Sequence, residues 1–170
     1  MSDTFKKILE AREDRWLRKK DLAENYSSSI VCLTMNIPGP EKAGDLSLRA
    51  FEILVDEFLG ILEKKETRIL YQEKKITADG PEMIIVADAD PWKLKKIGLS
   101  VEESHILGRI ADIDVLDRSG NPVSRKDLGI GQRKCLICDR PARECAVLGR
   151  HDRSEVIERA MAIIRYCSDS

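Results

Sequence analysis

The stretch Gly108-Arg-Ile-Ala-Asp-Ile-Asp-Val-Leu-Asp117 constrains the fold more than any other in the chain. Its residues alternate between two characters. On an extended strand Arg109, Ala111, Ile113 and Val115 share one face, and Ile110, Asp112, Asp114 and Leu116 share the other. The first face is largely apolar and needs a core. The second carries two acids whose Cα atoms lie about 6.6 Å apart along a strand. A strand of this kind belongs in a sheet with one face covered. Two ionised carboxylates at that spacing repel each other unless a positive charge stands between them. A hard divalent cation, most often Mg²⁺ with phosphate ligands, is one answer. A solvated strand face is the other, and spacing alone leaves both open.

The segments before this strand set its context. Ser29 to Ile37 is rich in β-branched residues and reads as a buried strand, with Cys32 as a small core hydrophobe. Ala50, Phe51, Leu54, Val55, Phe58 and Leu62 recur at helical spacing, and Asp45 is placed to cap that helix. Thr67–Ile76 and Met83–Ala87 read as strands joined through an Asp79-Gly80-Pro81 turn. Asp90-Pro91 is an N-cap followed by a first-turn proline, opening a helix whose inner stripe is Leu94, Ile97 and Val101. The order strand, helix, strand, strand, helix, strand predicts an α+β fold with a ferredoxin-like antiparallel sheet. An N-terminal helix over residues 3–24, with Phe5, Ile8, Leu9 and Trp16 inward and its charges in solvent, precedes that unit. A Cys-rich segment and a final helix beginning near Ser154 follow it. The expected organisation is a single domain over 1–170: N-terminal helix 1–26, α/β core 27–133, Cys/His segment and C-terminal helix 134–170.

With 170 residues and 42% hydrophobic content the chain can bury a core of its own. Its 29 basic and 30 acidic residues nearly cancel, and aromatics are 5%. That balance argues against a nucleic-acid or membrane-surface partner and against base-stacking platforms. The sequence contains no bilayer-length apolar run and no signal-peptide pattern, which places the protein in the cytoplasm, with reduced thiols or metal ligands for its cysteines.

Three further groups carry chemistry. The loop Asn36-Ile-Pro-Gly-Pro-Glu-Lys42 is rigid and follows a strand, and Asn36 and Lys42 suit contact with phosphate or sugar. His105, at a helix end, is either a general base or a surface residue. Cys135 and Cys138 form a chelating Cys-x-x-Cys turn, which Cys145 and His151 complete as a tetrahedral Zn²⁺ set. Free, partly buried thiols are the alternative.

Taken together these stretches resemble the citrate lyase holo-acyl-carrier-protein synthase family. The matching residues are Leu33–Lys42, Thr77–Pro81, Glu102–Asp117, Ser124–Gly129 and Arg133–Asp139, with Ala142, Cys145 and His151 beyond them. The chain departs from the family pattern at Ile106, where proline is frequent, and at Gly149. A fainter similarity links Gly-Arg-x-x-Asp-x-Asp to the pterin pyrophosphokinases, whose two aspartates hold Mg²⁺.

The first resemblance implies a nucleotidyltransferase-type reaction. The 2′-(5″-phosphoribosyl)-3′-dephospho-CoA group passes from its triphosphate donor to a serine of the citrate lyase acyl-carrier (gamma) subunit, and pyrophosphate leaves. In that reading Asp112 and Asp114 hold Mg²⁺, while Arg109, Arg125 and Arg133 grip phosphates. The general base is His105 or one of the acids. Two other functions remain open: a pterin pyrophosphokinase-like enzyme, and a non-catalytic zinc-stabilised module that binds a carrier protein.

Overall fold

The computed structural model describes residues 3–39 and 42–168, so Pro40 and Glu41 of the proline-rich loop lie outside the described residues. The elements run α1 (Asp3–Tyr26), β1 (Ser29–Met35), α2 (Asp45–Lys64), β2 (Arg68–Thr77), β3 (Gly80–Asp88), α3 (Pro91–Ser104), a 3₁₀ turn (Ile106–Arg109), β4 (Ala111–Leu116), a second 3₁₀ turn (Lys126–Leu128), α4 (Ala142–Leu148) and α5 (Arg153–Ser168). The four strands form one antiparallel sheet in the order β2-β3-β1-β4. The architecture is therefore α+β, and each helix-linked strand pair is separated in the sheet by one other strand.

The alternation that defines each strand decides what lies on either face. Val31, Leu33 and Met35 of β1, Met83, Ile85 and Ala87 of β3, and Ala111, Ile113 and Val115 of β4 point to one side. There they meet Phe51, Leu54 and Phe58 of α2, Leu94 and Val101 of α3, and Ala160 and Ile164 of α5. On the other side Ile30, Cys32, Ile84, Val86 and Leu116 pack with Ala23 of α1. The two inner strands are thus covered on both faces. Burial pushes the Cys32 thiol up to about 12, consistent with an inert core residue. Asp90 caps α3 as its sequence predicts, accepting from Lys93 N at 2.9 Å ahead of Pro91. Asp45 does not cap α2: it is the first helical residue, and Gly44 stands at the cap without a side-chain bond.

Two expectations need correction. Helix α1 does not present Phe5, Leu9 and Trp16 to the core, since all three are exposed and only Ile8, Lys19 and Ala23 are buried. Nor is its charge simply solvated. Arg15 donates to Glu82 and Asp79, each at 2.9 Å. Arg18 bonds Glu73 at 2.7 Å and also pairs with Glu82, which is 1% exposed. Arg12 and Lys42 close on Asp79 at 3.0 and 3.1 Å. The helix docks by ion pairs because the sheet face beneath it carries acids. The second correction concerns β4, which begins at Ala111. Arg109 sits in the 3₁₀ turn and Ile110 just after it in a helical conformation, so neither shares the strand's alternation.

Candidate active site and metal centre

Strand β4 is an edge strand, so half of its backbone groups have no neighbouring strand. Side chains from elsewhere meet them. Lys95 Nζ donates to Ile113 O at 2.7 Å, and Ile113 N donates to Glu102 Oε1 at 3.0 Å. Both of these charged residues are buried. Arg133 donates to the Ala111 carbonyl, and Val123 N to Val115 O at 2.8 Å. Lys95, Gly98 and Glu102 form a stripe on α3 at spacings of three and four residues. Gly98 permits the close approach, since a Cβ there would lie 2.8 Å from Ile113 Cγ2. Gly108 is equally tight, its Cβ position being 2.3 Å from Glu102 O.

This scaffold holds Asp112 and Asp114 on the α1 side of the sheet, opposite Thr34 and Cys32 of β1. Both carboxylates are about half exposed, at 53% and 57%. Lys19 Nζ lies 3.2 Å from Asp114 Oδ2, and Arg133 Nη1 3.8 Å from Asp112 Oδ1. Partial burial and the Asp114 charge push the Asp112 carboxyl above its ordinary range, and Arg133 offsets this only in part. Burial comes first among these causes, and the neighbouring carboxylate adds to it.

Two adjoining clefts lie beside the start of β4. The larger, about 400 Å³, is lined by Arg109, Arg125, Arg133 and Lys134 with Glu102 and Glu103. Four cations face two carboxylates there, and Arg125 engages both, pairing with Glu102 and lying 3.8 Å from Glu103. The smaller, about 240 Å³, runs between Asn36, Arg109 and Arg133 on one side and Leu136, Cys145 and His151 on the other. Arg109, Arg133 and Asn36 are thus brought together, with Arg125 across the larger cleft. Asp112 and Asp114 line neither cleft; Arg133 connects them to both. Lys42 is spent on Asp79, away from the clefts. His105 joins α3 to the 3₁₀ turn, its Nδ1 accepting from Leu107 N at 3.1 Å.

The Cys/His segment converges, although its spacings beyond Cys-x-x-Cys match no standard zinc finger. Sγ of Cys135, Cys138 and Cys145 and a ring nitrogen of His151 all lie within 4.8 Å of one another. Cys138 and Cys145 Sγ are 3.6 Å apart, against about 3.8 Å for two sulfurs on a tetrahedral Zn²⁺. His151 Nε2 is buried without a hydrogen-bond partner, while Nδ1 lies 3.8 Å from Glu155 Oε2. A ligating imidazole has this arrangement, with one nitrogen free and the other oriented by a carboxylate. Burial raises the Cys135 thiol, but the N–H groups of Ile137 and Cys138 and the adjacent thiols outweigh it and hold it below its ordinary value. Burial and those same thiol contacts push Cys145 up to about 12. The four side chains can hold a metal ion such as zinc.

Sequence reasoning missed Lys19, Lys95 and Glu102. Lysines inside charged helices carry no signal that they turn inward. Glu102 stood at the start of a quoted motif, but only the fold shows that its side chain reaches β4.

Comparison with known proteins gives one consistent result. A family model described as apo-citrate lyase phosphoribosyl-dephospho-CoA transferase matches residues 3–166. A protein of that name from Citrobacter koseri is 31% identical over 163 residues, covering 96% of this chain and 89% of its own length. Others so named from Shigella flexneri and Escherichia coli are 31% identical over 157 residues, covering 92% of this chain and 86% of theirs. A family model spanning nearly the whole chain, with relatives aligned almost end to end, places this chain in the apo-citrate lyase phosphoribosyl-dephospho-CoA transferase family.

Proposed function

We propose that this protein is a cytoplasmic, nucleotidyltransferase-type enzyme that attaches the 2′-(5″-phosphoribosyl)-3′-dephospho-CoA group to the citrate lyase acyl-carrier subunit. The donor is the corresponding triphosphate, the acceptor a serine hydroxyl, and pyrophosphate is released. Family membership supports the group transferred. The observation that carries the chemistry is the cationic cleft whose Arg133 also faces Asp112, one of two carboxylates side by side on β4.

Phosphoryl-type transfer relies mainly on positioning and charge neutralisation. Arg109, Arg125 and Arg133 orient the triphosphate and take up charge on the departing pyrophosphate. Asn36 contacts the sugar or phosphate from the neighbouring cleft. Asp112 and Asp114 fit Mg²⁺, two hard oxygen donors whose mutual repulsion a cation relieves; bound there, it neutralises triphosphate charge. The serine proton goes to His105, whose Nδ1 accepts from Leu107 N, or to one of the acids. The Cys135/Cys138/Cys145/His151 set holds a structural Zn²⁺, because four protein ligands leave no open position.

Intact mass of the apo carrier subunit, incubated with this protein, the triphosphate donor and Mg²⁺, tests the reading. The carrier is expected to gain the mass of the prosthetic group. An unchanged carrier with folded enzyme and authentic donor overturns it.

A further inference from the structure

The Cys/His centre and the cationic cleft are one connected structure. The segment between them, residues 133–142, is a small closed loop: Cys135 N donates to Arg140 O at 2.7 Å and Ala142 N to Arg133 O at 2.8 Å. An isolated bridge joins Lys134 to Pro141. Apart from Leu136, which is half-buried against the main core, little apolar surface holds this loop down. Metal ligation can supply the missing free energy.

Two arginines depend on that loop. Arg109 donates to the carbonyl of Cys135, itself one of the four ligands. Arg133, two residues before Cys135, donates to the carbonyls of Gly108 at 2.9 Å, Arg109 at 3.1 Å and Ala111. Its other terminal nitrogen faces Asp112. Arg125, by contrast, is held by Glu102 of α3 and owes nothing to the loop.

We propose that the metal centre is a positioning device for a polyphosphate-binding cleft: the ion fixes loop 133–142, and the loop aims Arg109 and Arg133. This rests on reading the cleft as the triphosphate site and the cluster as a zinc centre. By linkage, zinc and polyphosphate then strengthen each other's binding by the same factor.

The test uses the full chain, buffered free zinc and inorganic pyrophosphate as probe, with Mg²⁺ omitted so that the aspartate pair plays no part. Zinc-loaded protein is expected to bind pyrophosphate, and chelator-stripped protein to bind it at least ten-fold more weakly while the circular dichroism of the sheet persists. Saturating pyrophosphate should tighten the zinc Kd by the same factor. Arg109→Ala should keep one zinc equivalent and lose most of this coupling. Arg125→Ala should weaken pyrophosphate binding and leave the coupling intact.

Equal pyrophosphate affinity with and without zinc overturns the coupling while leaving the cleft standing. A zinc Kd that does not move under pyrophosphate does so too, however the stripped protein folds. Zinc-loaded protein that ignores pyrophosphate removes the cleft reading, and protein that takes up no zinc removes the metal reading; either takes this proposal with it. Unchanged coupling in Arg109→Ala shows that the Arg109–Cys135 bond does not carry it and overturns the assignment to the loop.

Discussion

Asp112 and Asp114 sit side by side on one strand, yet their neighbours differ. Lys19 faces Asp114 at 3.2 Å, whereas Arg133 stands 3.8 Å from Asp112. Asp112 therefore binds its proton more tightly in the native state than in the unfolded chain. A carboxyl of this kind opposes folding while ionised, and the penalty fades as pH falls through the raised value. Asp112→Asn should accordingly raise the melting temperature at pH 7, with the gain shrinking as pH falls through the raised Asp112 value. If the pair holds Mg²⁺, both Asp112→Asn and Asp114→Asn should lower turnover by orders of magnitude with the fold intact. Asp117→Asn should be milder, because Asp117 accepts from Ser119 and Asn121 within its own turn. Wild-type turnover in both variants at limiting Mg²⁺ would return the chemistry to the arginines. Gly98→Ala is expected to cost about 1–3 kcal/mol by overpacking against Ile113, measured by urea unfolding.

At the scale of elements, α1 shows where periodicity misleads. Its apolar residues are too few to form an inner stripe, and the helix is fixed instead by Arg15 and Arg18 on buried Glu82 and by Arg12 and Arg15 on Asp79. Glu82→Ala should destabilise the protein by about 1.5–3 kcal/mol in urea unfolding, because Arg15 and Arg18 each lose a buried charged partner while keeping Asp79 and Glu73. Asp79 supplies a pH signature of the opposite sign to Asp112. Burial raises its carboxyl, but bonds from Arg12, Arg15 and Lys42 outweigh this and hold it below the ordinary 3.8. Its contribution is complete above that value and is lost as pH falls through the lowered one, so α1 should loosen in acid. Fluorescence of Trp16, on that helix, reports this. By contrast the strands, the α2 and α3 stripes and the Asp90-Pro91 start were legible in the sequence, because apolar period and cap chemistry act locally. The inward charges were not, because a buried ion pair needs both partners in place before either can be read.

For the whole molecule, the Cys135-x-x-Cys138 turn and the later Cys145 and His151 were visible in the sequence as candidate ligands, and the fold brings all four together. Their connection to Arg109 and Arg133 was not legible, because it runs through backbone carbonyls that carry no residue code. Zinc removal is expected to lower the melting temperature and to deprotect amides of residues 133–168 in hydrogen exchange before those of β1 and β3. Uniform exchange across the chain would show that the centre stabilises the sheet as much as its own segment. The sealing of β4 has a consequence for assembly. With the outward carbonyls of Ala111, Ile113 and Val115 and the Ile113 N–H already bonded, a strand from another molecule would have to displace buried Lys95 and Glu102 to pair with Ile113. Sheet extension is left with β2, where Lys74, Lys75, Glu73 and an irregularity between Ile69 and Tyr71 discourage pairing. Both edges of the sheet are therefore poor templates for cross-β pairing with another copy of the chain.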